Sequence, residues 1–138
     1  MKRVFVESNF ILELAFRQEE FADCERLIRA AESQEITLLV PVYCLTEVFQ
    51  TLGLRRQERA QAQVFLQEQI RQHLREEGTA TEDMMRLNAS LRELLLARTA
   101  TQTAALFEVT AKLAELAQVV AMPGEVLSEA RQAQQRHS

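Results

Sequence analysis

The sequence predicts an α/β protein built on a short parallel sheet, and three observations carry that prediction. Val4-Phe5-Val6, Thr37-Leu38-Leu39-Val40 and Gln118-Val119-Val120-Ala121-Met122 are brief apolar runs rich in β-branched residues, the pattern of buried strands. The segments between them repeat their apolar residues at helical spacing. Strands separated by helices pair in parallel through right-handed crossovers, so a sheet of about three strands with a large helical share is expected.

Each element follows from local signals. After the first strand, Ser8 or Asn9 can cap a helix whose Ile11, Leu14 and Ala15 face inward, because a short polar side chain there accepts from a free backbone N–H. Phe21, Cys24, Leu27, Ile28 and Ala31 predict a second helix, and Ser33 to Glu35 lead into the second strand. Beyond Pro41, Tyr43 to Leu54 reads as a helix, followed by a glutamine- and arginine-rich stretch with Val64, Phe65, Leu66, Ile70 and Leu74 as its apolar positions, ending at Gly78. Thr79-Ala80-Thr81-Glu82 is a capping-box pattern that opens a long helical region. Its stripes, Met84, Leu87, Leu91, Leu94 and Leu95, then Leu106, Val109, Leu113 and Leu116, are separated by the polar run 98–103, which predicts a bend or hairpin near Thr101. Neither stripe sustains three heptads, so packing within the domain is expected over a coiled coil.

Composition narrows the function classes. A chain of 138 residues with 47% apolar content supports one compact domain, residues 1–138. A net charge of −4 creates no global positive field for nucleic acid, so such binding requires a local patch. Cys24 and Cys44 follow no disulfide or zinc spacing and read as reduced, buried thiols of a cytoplasmic protein. No run approaches the roughly 18 apolar residues of a membrane span, and Glu7, Asn9 and Glu13 interrupt any secretory core.

The first strand ends on Glu7-Ser8-Asn9, and Glu47 lies in the second turn of the helix after the second strand. In open parallel sheets ligands bind at the carboxyl ends of the strands. If these two strands are neighbours, both carboxylates reach one edge, a donor set for a hard divalent cation such as Mg2+ or Mn2+. Such an ion polarises a phosphoryl oxygen and lowers the pKa of a water for in-line attack on phosphorus.

VFVESNFILEL followed some thirty residues later by LLVPVYCLTEVFQTL resembles the first half of a PIN domain, the metal-dependent nuclease fold of many bacterial toxins and RNA-processing proteins. Glu7 and Asn9 match the family's opening motif with glutamate in place of its usual aspartate, and Glu47 matches its second acid. The resemblance covers residues 2 to 54 and is compatible with 118 to 136. It implies a three-layer α/β/α fold and a toxin-type endoribonuclease that hydrolyses RNA with Mg2+ or Mn2+ held by Glu7 and Glu47 and supported by Ser8 and Asn9. The family's later acids are not matched, which implies a PIN domain lacking its C-terminal third. In the family's sheet order, that loss leaves Val4-Phe5-Val6 as an unpaired edge.

The remaining signals are weighed against plainer readings. Arg55, Arg56 and Arg59 form the one basic cluster and suit either an RNA phosphate backbone or an ordinary helix surface paired with Glu58. Glu125 and Glu129 read as a charged outer face. His73 lacks the partners of a zinc site, and His137 falls in a frayed tail. Tyr43 and the seven phenylalanines read as core residues with no stacking platform. The alternative function is a non-catalytic PIN scaffold that binds an antitoxin-like protein or a second copy of itself; a helical scaffold unrelated to nucleases is the third.

Overall fold

In the computed structural model, residues 1–77 and 82–121 are described. The elements run β1 (Lys2–Phe5), α1 (Ser8–Phe16), α2 (Phe21–Glu32), β2 (Ile36–Pro41), α3 (Val42–Glu77), α4 (Glu82–Leu116) and β3 (Gln118–Val120). The protein is a mixed α/β structure with a three-stranded parallel sheet in the order β1-β2-β3. The described residues divide into two compact units, one of residues 1–48 and 106–121, the other of residues 49–77 and 82–105.

The first unit holds the sheet. β2 is its central strand, and Leu38, Leu39 and Val40 are each 1% exposed or less, as expected for a strand covered on both faces. Ile11 of α1, Ile28 of α2, Cys44 and Val48 of α3, and Leu106 and Leu113 of α4 are among the side chains buried with it, while α2 packs on α1 and on β2. β1 pairs with β2 from Lys2↔Ile36 to Phe5↔Leu39, and the Val6 N–H extends the ladder to the Leu39 carbonyl at 2.9 Å. Among the described residues, β1 has no neighbour on its other side.

Two turns in this unit use left-handed backbone at residues other than glycine. Gln34 has φ 62°, with its N–H on the Ala31 carbonyl and the Glu35 N–H on the Ala30 carbonyl. That is the paired closure of a Schellman motif, which satisfies carbonyls the helix end leaves open. Arg17 closes α1 at φ 50° with its own N–H and the Gln18 N–H both on the Glu13 carbonyl, and its guanidinium lies 5.3 Å from the centre of the Phe21 ring.

The second unit is a helical hairpin. Positions of reduced exposure recur three and four residues apart, at Leu52, Arg55, Arg59, Gln63, Leu66 and Ile70 on α3 and at Asn88, Leu91, Leu95, Thr99 and Gln102 on α4, the spacing of a two-helix seam. Arg59 bridges it, donating to Thr99 Oγ1 at 2.6 Å and to Gln102 Oε1 at 2.8 Å.

Two sequence expectations change. The helix after Pro41 does not end near Leu54: α3 runs through Gly53 and the glutamine-rich stretch as one element of 36 residues, since straight-chain residues sustain a helix even when its apolar stripe is thin. The bend near Thr101 is absent as well. Thr101 and Thr103 turn their hydroxyls onto the carbonyls of Ala97 and Thr99 four residues back, so α4 continues. The expected end at Gly78, the Thr79–Glu82 capping box, Met122, Glu125, Glu129 and His137 lie wholly or partly outside the described residues.

Candidate functional site

The carboxyl end of β1 and the first turns of α3 form the site, all within the first unit. Glu7 follows β1 with extended backbone, φ −109° and ψ −178°, and its carbonyl accepts the Phe10 N–H at 3.1 Å. Glu7, rather than Ser8 or Asn9, stands at the cap position of α1, and its side chain makes no capping hydrogen bond. Ser8 is instead committed elsewhere. Its hydroxyl donates to Glu47 Oε2 at 3.0 Å, joining residues 39 apart in sequence.

That bond exists because β1 and β2 are adjacent parallel strands and α3 begins directly after Pro41 at the carboxyl end of β2. Val48 and Cys44 face the core, which sets the rotation of α3 and leaves Glu47 exposed beside them. Glu7 and Asn9 are exposed as well. The geometry thus brings the Glu7-Ser8-Asn9 corner to Glu47 at the sheet edge where open parallel sheets bind ligands.

Tyr43 joins this group, one helical turn before Glu47. Partial burial, the adjoining Cys44, and the negative charges of Glu47 and Glu7 hold its phenol above the usual value near 10. Both carboxylates therefore act on one hydroxyl. Tyr43 as a residue is 38% exposed, and its carbonyl accepts the Thr46 hydroxyl at 2.9 Å. Phe5, two residues before Glu7, is 63% exposed. The expectation that the aromatic residues are all core is thus corrected, since Phe5 ends an edge strand and Tyr43 sits at the mouth of α3. Their spacing from the two acids was the signal in the sequence: i−2 in a strand, i−4 in a helix.

The arginines belong to the second unit. Arg56 is exposed, whereas Arg59 is half-buried and spends two guanidinium nitrogens inside the hairpin. Arg55, one turn earlier, is also half-buried. Position within the seam explains why three cations close in sequence do not present one basic surface.

Two exposed carboxylates and a hydroxyl are hard oxygen donors suited in kind to magnesium or manganese, which bind through one or two carboxylates and otherwise water or phosphate. Among the described residues, no three His, Cys, Asp or Glu side chains gather as a metal cluster. No described helix is long and apolar enough to cross a membrane. No protein-family model matches the chain, and no curated protein or solved structure matches it.

Proposed function

We propose that the chain is a PIN-like, divalent-metal-dependent ribonuclease of toxin type, with the family's three-layer arrangement, acting on RNA in the cytoplasm. The observation that carries this reading is the Ser8–Glu47 hydrogen bond, which ties the Glu-Ser-Asn corner to the second acid at the carboxyl ends of neighbouring parallel strands. Glu7 and Glu47 are the ligand carboxylates. Ser8 orients Glu47 by donating to its Oε2, the role hydrogen-bonding partners of metal ligands commonly play. Asn9, exposed in the first turn of α1, stands beside the same edge for contact with the sugar-phosphate chain. A divalent ion held there supplies a polarised phosphoryl oxygen and an acidified water.

The test is cleavage of RNA by the purified chain with Mn2+ or Mg2+, together with calorimetric Mn2+ titration. Glu47→Gln is expected to lower metal-dependent cleavage by at least about 100-fold and to weaken Mn2+ binding, and Ser8→Ala to cost about tenfold in both. Cleavage that persists in chelator, or a Glu47→Gln chain that cleaves and binds Mn2+ normally, overturns the reading.

One observation favours the second reading, a non-catalytic PIN scaffold that binds an antitoxin-like protein or a second copy of the chain. The described residues bring two acids together and not three. In that case Glu47→Gln leaves partner affinity, measured by sedimentation, unchanged.

A further inference from the structure

The edge strand carries a row of side chains that the two-acid site does not account for. Strand residues alternate between faces, so Arg3, Phe5 and Glu7 lie on one face while Val6 points to the other and is 4% exposed. The alternation holds through Glu7 because its backbone is extended. Arg3 and Glu7 are exposed, and Phe5 is 63% exposed although its register partner Leu39 is 1% exposed. On α3, Tyr43 and Glu47 are four residues apart and share a helix face, and Glu47 is tied to the end of β1 through Ser8. Each carboxylate thus has an exposed aromatic residue shortly before it in the chain, Phe5 two positions ahead of Glu7 and Tyr43 one helical turn ahead of Glu47, and a cation stands at the far end of the strand row.

We propose that Phe5 and Tyr43 are the base-stacking residues of a single-stranded RNA site, holding the nucleotides on either side of the phosphate presented to Glu7 and Glu47, with Arg3 on the adjoining backbone. The inference rests on the ribonuclease reading for its substrate class. Aromatic rings stack on unpaired bases with little regard to sequence, and a base buried in a duplex offers no open face to them. A net charge of −4 makes a purely electrostatic RNA surface unfavourable, so ring stacking beside one well-placed cation suits this chain better than a basic channel.

The test separates binding from cleavage. A fluorescent, 2′-O-methylated RNA of about ten nucleotides is titrated as single strand and as duplex with Ca2+ in place of Mg2+ or Mn2+, so that the acid pair facing the phosphate is neutralised. The single strand is expected to bind more tightly than the duplex. Phe5→Ala and Tyr43→Ala are each expected to weaken it about tenfold or more, whereas Tyr43→Phe retains affinity because the ring remains. Tyr43→Phe and circular dichroism guard against misfolding, and Arg3→Gln is expected to lower the salt dependence by about one charge. Equal binding of duplex and single strand, alanine variants that bind as the parent does, or no binding by the parent overturns the proposal. The two readings fail separately. A parent chain that cleaves RNA with Mn2+ while both alanine variants keep its KM removes the stacking pair and leaves the nuclease. A chain that binds the strand through both rings and never cleaves removes the nuclease and leaves the stacking pair.

Discussion

The two units of this chain spend similar helical sequence in different ways. In the first, residues 38–41 of β2 are buried, and Ile11, Leu38, Val48, Leu106 and Leu113 are each 1% exposed or less. In the second, two helices meet along one seam, and apolar seam residues such as Leu66, Ile70, Leu91 and Leu95 are only half-buried. Val64, Phe65, Leu87 and Leu94 remain 58–70% exposed. A pair of helices offers each stripe one neighbour, whereas a central strand has partners on both sides and side chains on two faces to bury. The hairpin compensates with a polar bridge, Arg59 to Thr99 and Gln102, at a site where Gln102 is 8% exposed. Hydrophobic burial therefore dominates one unit, while directional bonding sets the pairing of helices in the other.

The largest test of this contrast is truncation. Leu38→Ala is expected to destabilise the first unit by about 3–4 kcal/mol, the lost transfer energy plus the cavity left behind. Leu66→Ala in the hairpin is expected to cost about 1 kcal/mol, in proportion to its smaller buried area. Urea unfolding by circular dichroism measures both, and equal losses would break the comparison.

Next in size is the polar bridge. Arg59→Ala strands the Gln102 carbonyl oxygen, at a cost of about 1–3 kcal/mol. Replacing Arg59→Leu together with Gln102→Leu should recover most of that loss, because the buried Gln102 amide is then no longer left unpaired. The double variant measured beside the two single ones decides whether the bridge is worth more than apolar packing in its place.

A pH prediction sharpens the comparison further, because the chain has one tyrosine, and it lies in the first unit. Phenolate absorbance should titrate with a midpoint above about 10, and Glu47→Gln or Glu7→Gln should each lower it by removing a neighbouring negative charge. With the folded pKa raised, the Tyr43 contribution to stability is complete below the unfolded value near 10 and is lost as pH rises through the folded value. Variants whose midpoint stays in place would separate the carboxylates from Tyr43.

The smallest effects are on the backbone. Gln34→Gly relieves a left-handed position in the first unit, and Gly53→Ala removes a flexible residue from α3, where an added Cβ meets nothing within 4 Å. Each should stabilise by about 0.5–1 kcal/mol, read from the urea midpoint.

The strands and most of the helices were legible in the sequence. The run before Pro41 announces itself because burial on both faces leaves no polar alternation, whereas Val4-Phe5-Val6 and Gln118-Val119-Val120 are legible from their β-branched and aromatic residues alone, since Phe5 and Val119 stay exposed. The Glu-Ser-Asn corner and Glu47 were legible as candidates, since residue type and position after a strand are local facts. Less was legible where local signals conflict. The polar run around Thr101 lowers helix propensity, yet its threonines satisfy their hydroxyls on the helix itself, an outcome no window average reports.

By itself, then, the sequence determined the kind and order of the elements, through apolar periodicity and the chemistry at their ends. Only the tertiary structure decided that Ser8 donates to Glu47 instead of capping α1, that Arg59 turns into the hairpin, and that Phe5 and Tyr43 stand open beside the acids. The physical reason is range. A cap or an apolar stripe is set by residues within about one or two turns, whereas each of these three outcomes depends on partners or coverage set by segments about 40 positions apart.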